Sequence, residues 1–122
     1  MARPRETRRK ILAYALGLPG AYEDHPWGED VVKAGKKVVV FLGPPDRAES
    51  GMTVKLGDAH EQALLVPGAA PTGYGLGKAG WVDVPFRDTT PPLDVLRDWV
   101  EESFRLVAPK RLVAELDARG SS

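Results

Sequence analysis

Apolar positions along the chain change period several times, and each change predicts an element. Ile11, Leu12, Ala15 and Leu16 lie on one face of a helix that follows Arg8, Arg9 and Lys10 and stops at Leu18-Pro19-Gly20. The period then shortens. The β-branched runs at 31–33 and 38–42 flank Ala34-Gly35-Lys36-Lys37, where Gly35 can supply the positive φ of a tight turn, so the runs are predicted to pair as an antiparallel hairpin. Gly43-Pro44-Pro45-Asp46 breaks the second strand. Met52, Val54 and Leu56 then alternate with Thr53 and Lys55, the pattern of a half-buried strand, so one face of the sheet meets solvent or covers a ligand.

Asp58 is placed to cap a short helix running to about Leu65, ended by Pro67-Gly68. After a Gly-rich loop, Val82 and Val84 alternate with Trp81 and Asp83 as a further strand. Thr90 is placed to cap a helix with Pro91 at its first position, and Leu93, Leu96, Val100, Phe104 and Val107 form its apolar stripe. Ala108-Pro109 separates it from a last short helix carrying Leu112, Val113 and Leu116. This order predicts an α+β fold, one compact domain over residues 1–122 with helices packed on one face of an antiparallel sheet. Segments 1–7 and 118–122 are expected to be flexible.

Composition narrows the class. With 122 residues, 43% hydrophobic and 28% charged, the chain has the make-up of a single globular domain. Folding at this length hides roughly two-thirds of the unfolded surface, so no cofactor, metal or disulfide is needed to form a core. The absence of Cys excludes a thiolate nucleophile and a Cys-based zinc site. No apolar run is long enough to span a bilayer, and the first residues lack a signal-peptide core. A soluble, cytoplasmic protein without membrane contact is expected.

The 17 basic and 17 acidic side chains cancel, so there is no global pull toward nucleic acid. Their distribution is uneven. Arg3, Arg5, Arg8, Arg9 and Lys10 face only Glu6, whereas Glu23, Asp24, Glu29 and Asp30 make the next segment acidic. The plainer reading is a solvated, solubilising surface; the other is local anion binding, which would also offset the cost of basic residues at a helix start.

Three motifs invite a chemical reading. Gly75-Leu76-Gly77-Lys78-Ala79-Gly80 satisfies GxGxxG, but a strand follows it where a dinucleotide site needs a helix. It is read as a structural connection, with phosphate contact by Lys78 as the alternative. Ser103 interrupts an apolar stripe; its expected role is a bond back to the carbonyl of Trp99, and no catalytic residue is assigned. His25 sits among Glu23, Asp24, Glu29 and Asp30, but no spacing fixes them on one face, so no metal site is assigned. Trp27 beside it is expected to be a core or cleft aromatic leading into the hairpin.

His25-Pro26-Trp27-Gly28, Lys33 to Val38, Thr53-Val54-Lys55-Leu56, Gly73 to Lys78 with Trp81-Val82-Asp83-Val84, and Glu102 to Val107 occur in an order that resembles the YjbR/MmcQ family from about Arg8 to Leu116. The resemblance implies a frataxin-like α+β domain. It also implies likeness to a double-wing transcription factor, the basis on which such proteins are regarded as candidate DNA binders. It carries no reaction. The positions it transfers are Pro26, Trp27, Gly28, Gly35, Lys36, Lys78 and Trp81. Gly77, Ala79 and Gly80 stand where members often have polar or basic residues, and Phe104 replaces a usual tyrosine, so several donors of the loop are missing.

Two readings follow. In the first, Arg8, Arg9, Lys33, Lys36, Lys37 and Lys78 bind DNA phosphates without base readout. In the second, the exposed sheet face with Trp27 and Trp81 engages a protein partner or a second copy, as an interaction or chaperone-like module.

Overall fold

The two β-branched runs form the predicted hairpin. In the computed structural model, which describes residues 3–120, β2 (Asp30–Ala34) and β3 (Lys37–Gly43) pair antiparallel with Ala34 opposite Lys37 and Gly35 in the turn at φ 64°. β1 (Ala21–Asp24) joins the free edge of β2. On the other side lie β4 (Met52–Lys55), β6 (Trp81–Val84) and β5 (Ala70–Pro71), giving a six-stranded antiparallel sheet in the order β1-β2-β3-β4-β6-β5. The two edge strands were not anticipated. β1 reads AYED and β5 is two residues in a Pro/Gly loop, and edges protected by charge, proline or shortness lack the alternation that marks central strands.

Helices cover one face of this sheet, as the sequence predicted. α1 (Pro4–Leu16) and α3 (Leu93–Val107) pack against each other and against the central strands, while α2 (His60–Leu64) lies near β6 and α4 (Lys110–Gly120) adds Leu112 to the core. α3 buries Leu96, Trp99, Val100, Ser103 and Phe104, positions three and four apart that form one stripe. Leu96, Trp99, Val100 and Phe104 share one core with Val32, Val40, Val54 and Val82, each fully buried on the helix side of the sheet. Burying one such side chain is worth about 1.5–3 kcal/mol, so the stripe is a large part of what holds α3 down. Among the described residues no helix is long and apolar enough to cross a membrane.

Ser103 does not bond back to Trp99. Its hydroxyl donates to the Val39 carbonyl at 2.6 Å and accepts from the Lys55 N–H at 3.0 Å. The β3–β4 register pairs Val40 with Val54 and Phe41 with Thr53, so Val39 would next face Lys55. The serine hydroxyl bridges these two backbone groups where the ladder stops, and with no exposed surface it occupies a place that only a small polar group satisfies.

Two caps also differ from expectation. α2 begins after Ala59, and Glu102 of α3, not Asp58, accepts from the N–H groups of Gly57 and Ala59 at 2.7 and 3.1 Å. α3 begins at Leu93 after two prolines, and the Thr90 hydroxyl ties the preceding turn instead, accepting from the Arg87 N–H and donating to the Pro85 carbonyl. Of the ends expected to be flexible, residues 4–7 belong to α1 and 118–120 to α4, while residues 1, 2, 121 and 122 lie outside the described residues.

Candidate binding surface on the open face of the sheet

Strand pleating divides the side chains between two faces. Val32, Val40, Val54 and Val82 point at the helices; the intervening residues form a second row, Val31 opposite Phe41, Phe41 opposite Thr53, and Thr53 opposite Asp83. Phe41, Thr53 and Asp83 are only half-buried. Trp81 stands beside this row, its ring edge-on to Phe41 at 5.4 Å between centroids and 71° between planes.

The polar groups of this face are tied to one another. Thr53 Oγ1 and Thr72 Oγ1 both donate to Asp83 Oδ1, at 2.7 and 2.8 Å. Lys33 Nζ lies 2.8 Å from Asp24 Oδ2 across the β1–β2 pair. That hydrogen bond, with a second from the His25 N–H, holds the Asp24 carboxyl below its ordinary pKa and raises the Lys33 ammonium. Phe41, Thr53 and Asp83, with Glu29, Arg47 and Tyr74, line a hollow of about 520 Å³. Its lining carries two aromatic rings, two carboxylates and one guanidinium.

Aromatic residues also stand free of the fold. Trp27, expected in the core or a cleft, is 97% exposed at the turn between β1 and β2, and Tyr74, in the loop after β5, is fully exposed. Both are in the left-handed backbone region, at φ 52° and 59°, the only non-glycine residues among those described to be so. Such a conformation costs a bulky L-residue roughly 1–2 kcal/mol, which the surrounding turns must hold in place.

The six cations expected at a nucleic-acid surface are not brought together on one face. Arg8 is 8% exposed and bound through Nη2 to Asp30 Oδ2 at 2.5 Å and to the Gly43 carbonyl at 3.2 Å, so it belongs to the interior. Arg9 is exposed near Glu6, at the Gly43 end of the sheet. Lys33 is engaged by Asp24. Lys36 sits in the hairpin turn, Lys37 opens β3 beside it, and Lys78 lies in the 3-10 turn over Leu76–Ala79 just before β6. Because Lys55 faces Trp81 and the Leu56 N–H donates to the Gly80 carbonyl, these two turns share the end of the sheet opposite Arg9. The Gly-rich motif thus forms a compact 3-10 turn leading into a strand.

His25 does have a partner. Its Nδ1 lies 2.7 Å from Asp30 Oδ1 and its Nε2 3.6 Å from Glu23 Oε2. The pairing of β1 with β2 across the Pro26–Gly28 turn brings these residues together, which no linear spacing announced. Burial pushes the Asp30 carboxyl upward, but hydrogen bonds and charge from Arg8 and His25 outweigh this and hold it below the ordinary range. Glu23, His25 and Asp30 are the one group among the described residues whose ligand atoms, within 4.8 Å of one another, could share a metal ion. Arg8 already occupies one Asp30 oxygen and competes with any cation there.

No curated protein matches the chain. Among solved structures it is similar to the crystal structure of protein DR2400 from Deinococcus radiodurans, whose family-model domain is DUF419, with a TM-score of 0.69 at 22% identity over 96% of this chain and 92% of that one. That likeness is one of fold, and it spans the whole arrangement of sheet and helices described above. The YjbR family model matches residues 16–106, from the end of α1 through every strand and nearly all of α3, and the chain belongs to the YjbR family.

Proposed function

We propose that the protein is a cytoplasmic, non-enzymatic interaction module that docks a protein partner on the open face of its sheet. The observation that carries this reading is the pair of exposed aromatics, Trp27 and Tyr74, each held outward on a left-handed backbone. Large rigid side chains exposed at a conformational cost are what a binding surface uses as anchors, and they stabilise nothing in the free chain. Phe41 adds an aromatic ring to the hollow, and Trp81 packs edge-on against it.

A photoreactive side chain placed at Tyr74 and, separately, at Arg111 on α4 tests the reading in living cells. Discrete crosslinked products are expected from the open-face position and not from the helix position. No product from Tyr74, or the same products from both positions, would overturn it.

One observation favours DNA as a second reading: Lys36, Lys37 and Lys78 lie at one end of the sheet and make no ion pair among the described residues. Three phosphate contacts give a slope of log affinity against log salt of about −2.7, and non-specific binding of that size is weak. Fluorescence anisotropy with a short duplex at about 50 mM salt, where phosphate contacts are favoured, should then show binding that is lost in Lys36→Ala/Lys37→Ala/Lys78→Ala and kept in Arg9→Ala. An unbound duplex at that salt ends this reading.

A further inference from the structure

The hollow has a charge and a shape that the exposed aromatics alone do not explain. Asp83 projects from β6 onto the open face, and both hydrogen bonds it receives end on the same oxygen: Thr53 on β4 and Thr72 after β5 converge on Oδ1. Among the described residues Oδ2 accepts no hydrogen bond. The carboxylate is therefore pinned from two sides with one oxygen left over, a preorganised acceptor in a hollow that Phe41 and Tyr74 also line. Glu29 adds a second carboxylate to the lining and Arg47 a single opposing charge, so the hollow is net acidic.

We propose that this hollow receives an arginine side chain of the docked partner, an inference that rests on the docking reading above. A guanidinium is planar, carries donors in a fork that meets a carboxylate, and stacks on aromatic rings, so it satisfies Asp83 Oδ2 and the Phe41–Tyr74 surface together. An ammonium offers the charge without the plane. Phosphate and carboxylate ligands are disfavoured by Asp83 and Glu29, which separates this site from the lysine end of the sheet. At about 520 Å³ the hollow falls within the range of small-ligand sites and is roomy enough for one long side chain with its flanking backbone. The loop that carries Tyr74 is closed by the Gly77 N–H donating to the Thr72 carbonyl at 2.9 Å, just after β5, so the backbone that presents Tyr74 to the hollow is held without a ligand.

The test is a titration of the full chain, followed by amide chemical shifts, with the capped pentapeptide Gly-Gly-Arg-Gly-Gly and its citrulline counterpart, which keeps the shape and removes the charge. Saturable shifts are expected at Phe41, Thr53, Tyr74 and Asp83, with citrulline binding at least about tenfold more weakly and Asp83→Asn losing about the same factor. Glu29→Gln, at an exposed position, should weaken binding about threefold and serves if Asp83→Asn folds poorly. Equal binding of the citrulline peptide, or no saturable shift at these residues, would overturn the proposal. So would full affinity in both variants, or concentration-dependent shifts of the same residues without peptide, which would assign the hollow to a second copy. If crosslinking from Tyr74 succeeds while the peptide fails, only the arginine assignment falls; if both fail, the docking reading falls with it.

Discussion

Gly51→Ala is expected to destabilise the protein by about 4 kcal/mol, the sum of a left-handed backbone penalty and forced overpacking. Gly51 enters β4 at φ 83° and ψ −141°, a region essentially reserved for glycine. A Cβ there would stand 1.9 Å from the Val84 carbonyl oxygen and 2.6 Å from the Pro85 Cα, so β4 and β6 would have to separate where Met52 pairs with Val84. Backbone cannot yield as a side chain can. Gly28→Ala is the natural control: its φ is 79°, but a Cβ meets nothing within 4 Å, and only the conformational penalty of about 1 kcal/mol remains. Urea denaturation of both variants checks the difference, and equal losses would contradict the steric argument. A domain with a total stability of about 5–15 kcal/mol tolerates the second change far better than the first.

Asp30→Ala is expected to cost about 3 kcal/mol, because it strands the buried Arg8 guanidinium without its counter-charge. The same carboxylate sets a pH dependence. Its pKa in the folded state is held below the unfolded value, so its contribution is complete above about pH 3.9 and disappears as the pH falls through the folded pKa. Asp24, lowered by Lys33, acts in the same direction. Denaturation midpoints should therefore hold from neutral pH to about 4 and fall below it. The fall should be shallower in Asp30→Ala than in Asp24→Asn, since the exposed Asp24 pair is screened by solvent. An unchanged acid limb in Asp30→Ala would show that the Arg8 pair is not what acid removes.

The candidate surface was only partly legible in the sequence. Thr53, Lys55, Trp81 and Asp83 could be assigned to one face from strand alternation, and an open face was expected. That Thr53 and Thr72 would meet on one oxygen of Asp83 required the pairing of β4 with β6 and β6 with β5, and β5 is too short to carry a periodic signal. Tyr74 carried no pattern at all. Its position depends on a backbone conformation that its residue type disfavours, so propensity points away from it.

Arg8 and Arg9 show where the boundary falls. They are neighbours of one residue type, and the basic run assigned both to the surface. Only the rotation of α1 against the sheet separates them, turning Arg8 with Ile11 and Ala15 toward the core and leaving Arg9 in solvent. The sequence by itself determined what depends on residues a few positions apart: the central hairpin, the alternating strands, the stripe of α3, and therefore an α+β fold with helices on one face. The tertiary structure decided what depends on chain segments far apart, namely the edge strands, the Arg8–Asp30–His25 network across 22 positions, the Ser103 bridge across 64, and the acidic hollow. Local periodicity is written by burial of single residues, whereas a long-range polar pair forms only when the whole core has closed around it and removed water as the competing partner.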